Sequence, residues 1–326
     1  MEMKRCYGCM RMKLHTPVCE HCGYEERQRN SQMHLPLGTV LNGQWLIGRV
    51  LDSDILGFTY IAWHLEHERI FAIREYFPVS IAARNPADKV TVVLIENKNQ
   101  PLYVKYYNLF LQQIQFRMKY SWIGCIPATY GGTFTANNTL YMIMEYMEGT
   151  TLKDRVSKMP TPLTPDETWE LLKPLAAAIS ELHDNHLLYR DLTPGNVLIL
   201  WNGQVRLQDG ATLQYPIRYH GEEFIPKIVN NGFSPIEEYM RNGKIGPWTD
   251  VYGFCAIAYY CLTGKVPPLI PDRMMDGPEL PLLDRVPGLK RNQWKGLQQG
   301  LAIRPGDRIQ DMKTLCAMLW ENSMDL

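Results

Sequence analysis

The stretch Tyr189-Arg190-Asp191-Leu192-Thr193-Pro194-Gly195-Asn196 decides how the rest of the chain is read. It carries an aspartate and an asparagine five positions apart. Before it runs a helical segment, Pro165 to His186. After it comes a short hairpin, Val197–Trp201 and Gln204–Gln208, closed by Asn202-Gly203, a turn pair that two-residue hairpins prefer. Working outward, the N-terminal side is β-like: Trp45 to Leu51, Gly57 to Trp63, Ile70 to Tyr76, Ala128 to Phe134 and Thr139 to Tyr146. One helix, Leu102 to Tyr120, interrupts these strands. The C-terminal side is helical, with Asp250 to Thr263, Asn292 to Ile303 and Ile309 to Glu321. A β-rich half followed by a helical half predicts a bilobal α+β chain.

The chain has 326 residues, 45% of them hydrophobic, enough for a substantial core. Its 34 basic and 34 acidic side chains cancel, which removes any global electrostatic case for nucleic acid or an anionic membrane as partner. No apolar run reaches the roughly 20 residues needed to cross a bilayer. The longest, Val251 to Leu262, reads as a buried helix. Met1 to Arg5 leads into cysteines with no apolar core of a signal peptide, so the cytoplasm is the expected location.

Four of the eight cysteines fall in the first 22 residues, as Cys6-x2-Cys9 and Cys19-x2-Cys22. Two such pairs can present four thiolates to one tetrahedral ion, so the expectation is structural Zn²⁺ on Cys6, Cys9, Cys19 and Cys22. Gly8 and Gly23 supply the tight knuckle turns. A redox pair, or four unrelated thiols, is the plainer alternative. His15 and His21 are expected in solvent rather than on the metal. A ribbon over residues 1–26 cannot bury a core without its ion, which makes it a separate unit. Polar residues 27–37 read as a linker, and residues 38–322 as the main domain, with lobes 38–146 and 147–322.

Taken together, the motifs of residues 38–322 resemble bacterial Ser/Thr protein kinases that carry an N-terminal zinc ribbon. Residues 189–196 resemble the catalytic loop, and Phe71-Ala72-Ile73-Arg74 the V-A-I-K strand. Asp209-Gly210-Ala211 resembles an altered D-F-G, with the phenylalanine either replaced by Gly210 or deleted. The segments Glu75-Tyr76-Phe77-Pro78, Gly243 to Tyr252 and Leu262 to Pro268 are also similar to that group. The resemblance implies a protein-kinase fold, with Asp191 as the base and Asn196 and Asp209 as Mg²⁺ ligands. Ala72 and Leu198 would sandwich adenine, Met144 would be the gatekeeper, and Glu145 to Met147 the hinge. Gly57 and Arg74 would lie near the nucleotide phosphates. Glu237 would pair with Arg308, and Asp250 would tie down the catalytic loop. Asp191 and Asn196 could equally be kept to shape the loop through hydrogen bonds.

Three departures fall where ATP phosphates would sit. Residues 52–57 read Asp52-Ser53-Asp54-Ile55-Leu56-Gly57 where the family has G-x-G-x-x-G. At about 4 Å and an effective dielectric near 20, a carboxylate facing a phosphate charge costs on the order of 4 kcal/mol. Alternatively, Asp52 and Asp54 turn outward and the loop fails to clasp. Arg74 replaces the lysine, a planar fork for a point charge, and no lysine occurs between Lys13 and Lys89. The helical glutamate that should pair with that lysine is missing. The best register puts Gln113 there, and no Asp or Glu occurs between Glu96 and Glu145. Leu213 to Phe233 also lacks Ser and Thr, so a phosphate switch on Arg190 is hard to build.

The preferred reading is therefore a Ser/Thr-kinase-like pseudokinase or strongly attenuated kinase, acting in signalling by binding a protein partner, with ATP and Mg²⁺ binding weakened. The runner-up is an active kinase that phosphorylates protein hydroxyls. A zinc-ribbon nucleic-acid adaptor ranks third, because residues 1–30 hold six Lys/Arg against four Glu.

Overall fold

The computed structural model describes residues 3–14, 16–25, 31–208, 230–240, 242–276, 280 and 283–320. His15, Asp209, Gly210 and Ala211 lie outside the described residues, as do Thr212, Tyr215 and Tyr219. By contact the chain divides into two compact units: residues 1–122 with 127–147, and residues 123–126 with 148–326.

The first unit opens with a small ribbon in which β1 (Met3–Arg5) pairs antiparallel with β2 (Met12–Leu14). Its buried cluster is Cys6, Cys9 and Cys19 against Tyr24. The main sheet has six strands, of which the first four are β3 (Val40–Leu41), β4 (Trp45–Asp54), β5 (Gly57–His64) and β6 (Arg69–Tyr76). A side hairpin joins β7 (Ala82–Arg84) to β8 (Val92–Leu94), a pair too short to show in the sequence pattern. Helix α1 (Gln100–Tyr120) follows, with a proline in its first turn. Then come β9 (Thr129–Ala136) and β10 (Thr139–Glu145), joined by Asn137 and Asn138, both at positive φ as the expected turn demands. The order across the sheet is β3-β4-β5-β6-β10-β9.

Alternation along β5 and β6 sends side chains to two cores. Phe58, Tyr60, Phe71 and Ile73 fill one face with Trp45 and Ile47. Ala72, Tyr76 and Met144 fill the other with Phe110 and Ile114 of α1. Within the first face lies a buried carboxylate. Glu75 accepts from Arg84 Nη1 (2.7 Å), Tyr60 Oη (3.0 Å) and Tyr141 Oη (2.9 Å). Burial beside Glu75 pushes the Tyr60 phenol well up, which keeps it a donor. Tyr60 Oη also accepts from Leu35 N, and Arg84 Nε donates to Met33 O. The end of the segment read as a linker is thus buried in the sheet core.

The second unit begins with β11 (Gly149–Thr151), α2 (Leu152–Ser157) and α3 (Pro165–Asp184). Thr164 and Glu167 close a reciprocal capping box at the start of α3. Strands β12 (Val197–Leu200) and β13 (Val205–Leu207) form the expected hairpin, and β12 also pairs with β11. Next come α4 (Ile236–Tyr239), α5 (Pro247–Thr263), α6 (Ile270–Asp276), α7 (Arg291–Gly300) and α8 (Met312–Trp320). Helix α5 is buried nearly all round and ends on Gly264 in the left-handed conformation. Helix α8 starts three residues later than the periodicity suggests, because the Asp311 carboxylate accepts from Thr314 N and caps it there.

One buried ion pair pins this unit. Arg308 Nη1 meets Glu237 Oε1 at 2.6 Å and its Nη2 meets Oε2 at 3.2 Å, with both side chains 2% exposed or less. Thr249 Oγ1 donates to the same carboxylate, and Arg308 spends its remaining donors on the carbonyls of Trp248, Ala302 and Ile303. Arg308→Ala is expected to cost about 3–5 kcal/mol, because it strands the Glu237 charge. The measurement is the denaturant midpoint; Arg308→Lys should recover only part of the loss, since it cannot reproduce the fork.

Candidate functional site

The phosphate-side residues of the first unit are built on the β4–β5 turn and on β6. Asp54 ends β4, and its Oδ1 accepts from Leu56 N (2.8 Å) and Gly57 N (3.0 Å), so the carboxylate closes its own turn. Its Oδ2 takes Arg74 Nη2 at 2.5 Å. Arg74 Nη1 reaches Thr59 Oγ1 at 3.3 Å, and its guanidinium lies 5.8 Å from the Phe110 ring of α1. Arg74 is 1% exposed and Asp54 11%. Both carboxylates lie on the Arg74 face of β4; Asp54 pairs with the guanidinium directly, while Asp52 stays largely exposed and meets it only through the field. The cation at the lysine position is therefore held by a carboxylate from the loop itself.

Gly57 has a local reason for being glycine. A Cβ there would overlap the carbonyl oxygen of Glu75 on the neighbouring strand. Ala72 and Met144 are buried together in the α1-side core. Glu145 is half-buried, and its carboxylate and amide bridge to the backbone of Ala128. Met147 is half-buried beyond the end of β10.

In the second unit, residues 189–196 form a dense polar knot. Asp191 Oδ2 accepts from Asn196 Nδ2 at 2.7 Å, and the same amide reaches Asp191 O at 3.0 Å. Asp191 Oδ1 accepts from Asn230 Nδ2, also at 2.7 Å. Asn230 is a partner of Asp191 that sequence reading missed. It stands 39 positions away in a segment without helical or strand periodicity, so only the fold brings it to the carboxylate. Leu198 is buried in β12.

Asp250 of α5 carries this knot from below. It accepts from Tyr189 N (2.8 Å), Arg190 N (2.6 Å) and His183 Nε2 (2.9 Å). Those bonds hold Arg190 at φ +65°, a conformation costly for a side chain of that size. The Arg190 guanidinium is paired at both ends with Glu238, Nε to Oε1 and Nη2 to Oε2, each at 2.9 Å. A carboxylate thus already sits where a phosphate switch on Arg190 would need to dock.

The ribbon brings Cys6, Cys9, Cys19 and Cys22 together, with all four Sγ atoms within 4.8 Å of one another. Cys6 and Cys22 are 3.8 Å apart, and Cys9 and Cys19 are 3.9 Å apart. A tetrahedral ion with metal–sulfur bonds of about 2.3 Å needs sulfur separations of about 3.8 Å, so the donor set fits such an ion. Gly8 N donates to Cys6 Sγ at 3.2 Å, the contact that stabilises a thiolate in a knuckle. His21 is exposed and rests near Met12 O, outside the sulfur cluster.

The family model for the protein kinase domain matches residues 111–276. The serine/threonine-protein kinase PrkC of Bacillus subtilis is 29% identical over 130 residues, which are 39% of this chain and 19% of that protein. The serine/threonine-protein kinase PknB of Mycobacterium leprae is 26% identical over 132 residues, covering 40% and 21% respectively. The match thus spans about a fifth of the length of these relatives. Among solved structures, the apo form of PpkA-294 superposes with a TM-score of 0.71 at 26% identity, over 88% of this chain and 99% of that one. The Mycobacterium tuberculosis PknI kinase domain, at 18% identity and a TM-score of 0.56, shares the fold.

The Asp54–Arg74 pair yields a stability prediction. Asp54→Ala leaves a guanidinium buried against Phe110 and should cost about 3 kcal/mol. Asp52→Ala should stay within about 0.5 kcal/mol of the parent, as exposed sites do. Equal denaturant midpoints for the two variants would contradict the pairing.

Proposed function

The chain belongs to the protein kinase domain family, and from that premise we propose that it is a Ser/Thr-kinase-like pseudokinase, or a strongly attenuated kinase, that acts in signalling by binding a protein partner. The observation that carries this reading is the Asp54 carboxylate on Arg74. Kinases catalyse by surrounding the transferred phosphoryl group with positioned positive charge and metal. Here the one cation at the phosphate-facing lysine position is neutralised at 2.5 Å by its own loop. A triphosphate would have to displace a carboxylate that also closes the turn through Leu56 and Gly57. The family implies ATP and Mg²⁺, but this donor set does not fit a triphosphate as it stands.

A second reading, a working kinase with Asp191 as base, draws on the catalytic loop. Asp191 and Asn196 keep a 2.7 Å bond, and Asp250 still holds the loop from below. Against it, both Asp191 oxygens already accept from amides, so a substrate hydroxyl would compete with Asn230 for its proton acceptor.

Single-turnover transfer from labelled ATP, with Mg²⁺ or Mn²⁺, separates the two. Phosphoryl transfer is expected to be absent or very slow, and Arg74→Lys alone should not restore it, because Asp54 would pair with the new ammonium. Recovery should need Arg74→Lys with Gln113→Glu and both Asp52→Gly and Asp54→Gly. Robust turnover by the parent protein, abolished in Asp191→Asn, would reject the pseudokinase reading and establish the second.

For the ribbon we propose structural Zn²⁺ on Cys6, Cys9, Cys19 and Cys22. Elemental analysis after metal-replete expression should give one zinc per chain, and none in a Cys6→Ser/Cys19→Ser variant. Equal zinc in the two proteins would refute the site.

A further inference from the structure

The ribbon does not stand apart from the sheet. Its first knuckle, Tyr7 to Met10, lies on β4 at Gly48 and Arg49. Arg49 N donates to Tyr7 O at 2.8 Å, and Arg49 Nε donates to Gly8 O at 2.9 Å. A Cβ at Gly48 would overlap the Tyr7 carbonyl and the Met10 methyl, and would also crowd the Ile61 side chain of β5, so the glycine admits the ribbon as well as the neighbouring strand. Met10 is completely buried, and the Arg5 guanidinium lies 3.5 Å from the centre of the Trp63 ring on β5.

That contact falls on an irregularity in β4. Ile47 pairs with Ala62 and Val50 with Tyr60, so three steps along β4 match two along β5. One residue is extra, and it is here that the Arg49 amide leaves the ladder to bond the ribbon. An inserted residue moves every later side chain to the opposite face until another insertion moves it back. The effect is visible in the cores: Val50 packs with Ile47 on one face, while Leu51 packs with Leu56 and Ala72 on the other. A second irregularity, between Val50 and Asp52, follows, and Asp54 arrives facing Arg74. Losing the first bulge alone would turn Asp54 away from Arg74.

We propose that the metal-loaded ribbon is a clasp on β4: it holds the Gly48–Arg49 bulge and thereby keeps Asp54 on Arg74, so that metal occupancy and closure of the phosphate loop are one equilibrium. This rests on the Cys6/Cys9/Cys19/Cys22 metal site proposed above and is independent of whether the chain transfers phosphate. The metal orders the knuckle; the knuckle carbonyls of Tyr7 and Gly8 satisfy Arg49; the bulge fixes which way the strand faces. A chain without its metal keeps the same residues but loses the acceptors that make the bulged register favourable.

The test is amide hydrogen exchange on the full-length protein, with zinc content measured on the same samples. The Arg49 amide reports the clasp, and the Leu56 and Gly57 amides, which Asp54 accepts, report the loop. Removing zinc with a chelator should speed exchange at all three by about tenfold or more, while amides of α5 stay unchanged. Gly48→Ala, which blocks docking and also crowds Ile61 but leaves every cysteine in place, should retain zinc and show the same acceleration; Arg49→Ala is the arm that leaves Ile61 untouched. Arg49→Ala, a milder change that removes only the side-chain bond to Gly8, should accelerate exchange at Leu56 and Gly57 in the same direction by a smaller factor. Unchanged exchange after zinc loss overturns the coupling, as does parent-like exchange in zinc-loaded Gly48→Ala. A protein that binds no zinc overturns the metal site beneath it.

Discussion

An arginine side chain keeps its charge at physiological pH, so a guanidinium that is 1% exposed must find an anion inside the fold. In this chain that requirement organises the phosphate side of the first unit. Arg74 sits on β6 beside Phe110, and the nearest strand end offers Asp54. Once Asp54 turns in, its second oxygen closes the loop through Leu56 and Gly57. A lysine there could bend its flexible stem to share a phosphate. The planar fork, matched to a carboxylate at 2.5 Å, is better satisfied internally. Two of the three departures, the acidic loop and Arg74, are thus one self-consistent pair.

The second unit shows the opposite balance. Its buried polar groups are arranged to hold a loop in a strained shape: Asp250 beneath Tyr189 and Arg190, Glu237 with Arg308, and Glu238 with Arg190. Buried pairs of this kind add little net stability compared with apolar replacements, but breaking one is expensive. Such groups fix a particular arrangement of backbone, and here that arrangement includes Arg190 at positive φ. The geometry around Asp191 survives in a chain whose phosphate grip has changed.

The ribbon extends the same logic to the N-terminus. Its own buried cluster among the described residues is three cysteines against Tyr24, a donor set that fits an ion, and it takes its position from β4. Through Arg49 it touches the strand that delivers Asp54, which links the cysteine cluster to a loop five residues further along.

How much of this was legible in the sequence depended on distance along the chain. The strands from Trp45 to Tyr76, the Asn202-Gly203 hairpin and the cysteine pairs are local signals, fixed by alternation, turn chemistry and spacing, and they stand in the structure where the residues placed them. The family resemblance also supplied Glu237 with Arg308, although 71 residues separate them. The sequence could not say whether Asp52 or Asp54 would take Arg74, because the two stand two residues apart on one face of β4, and it is the turn closed through Leu56 and Gly57 that brings the Asp54 carboxylate onto the guanidinium. Nor could it reveal Asn230 on Asp191, Glu238 on Arg190 or the ribbon on Gly48, since each joins segments with no shared periodicity. The sequence determined which charges were present and which elements carried them; only the tertiary structure decided which charge met which, because that depends on backbone approach across strands and loops distant in the chain.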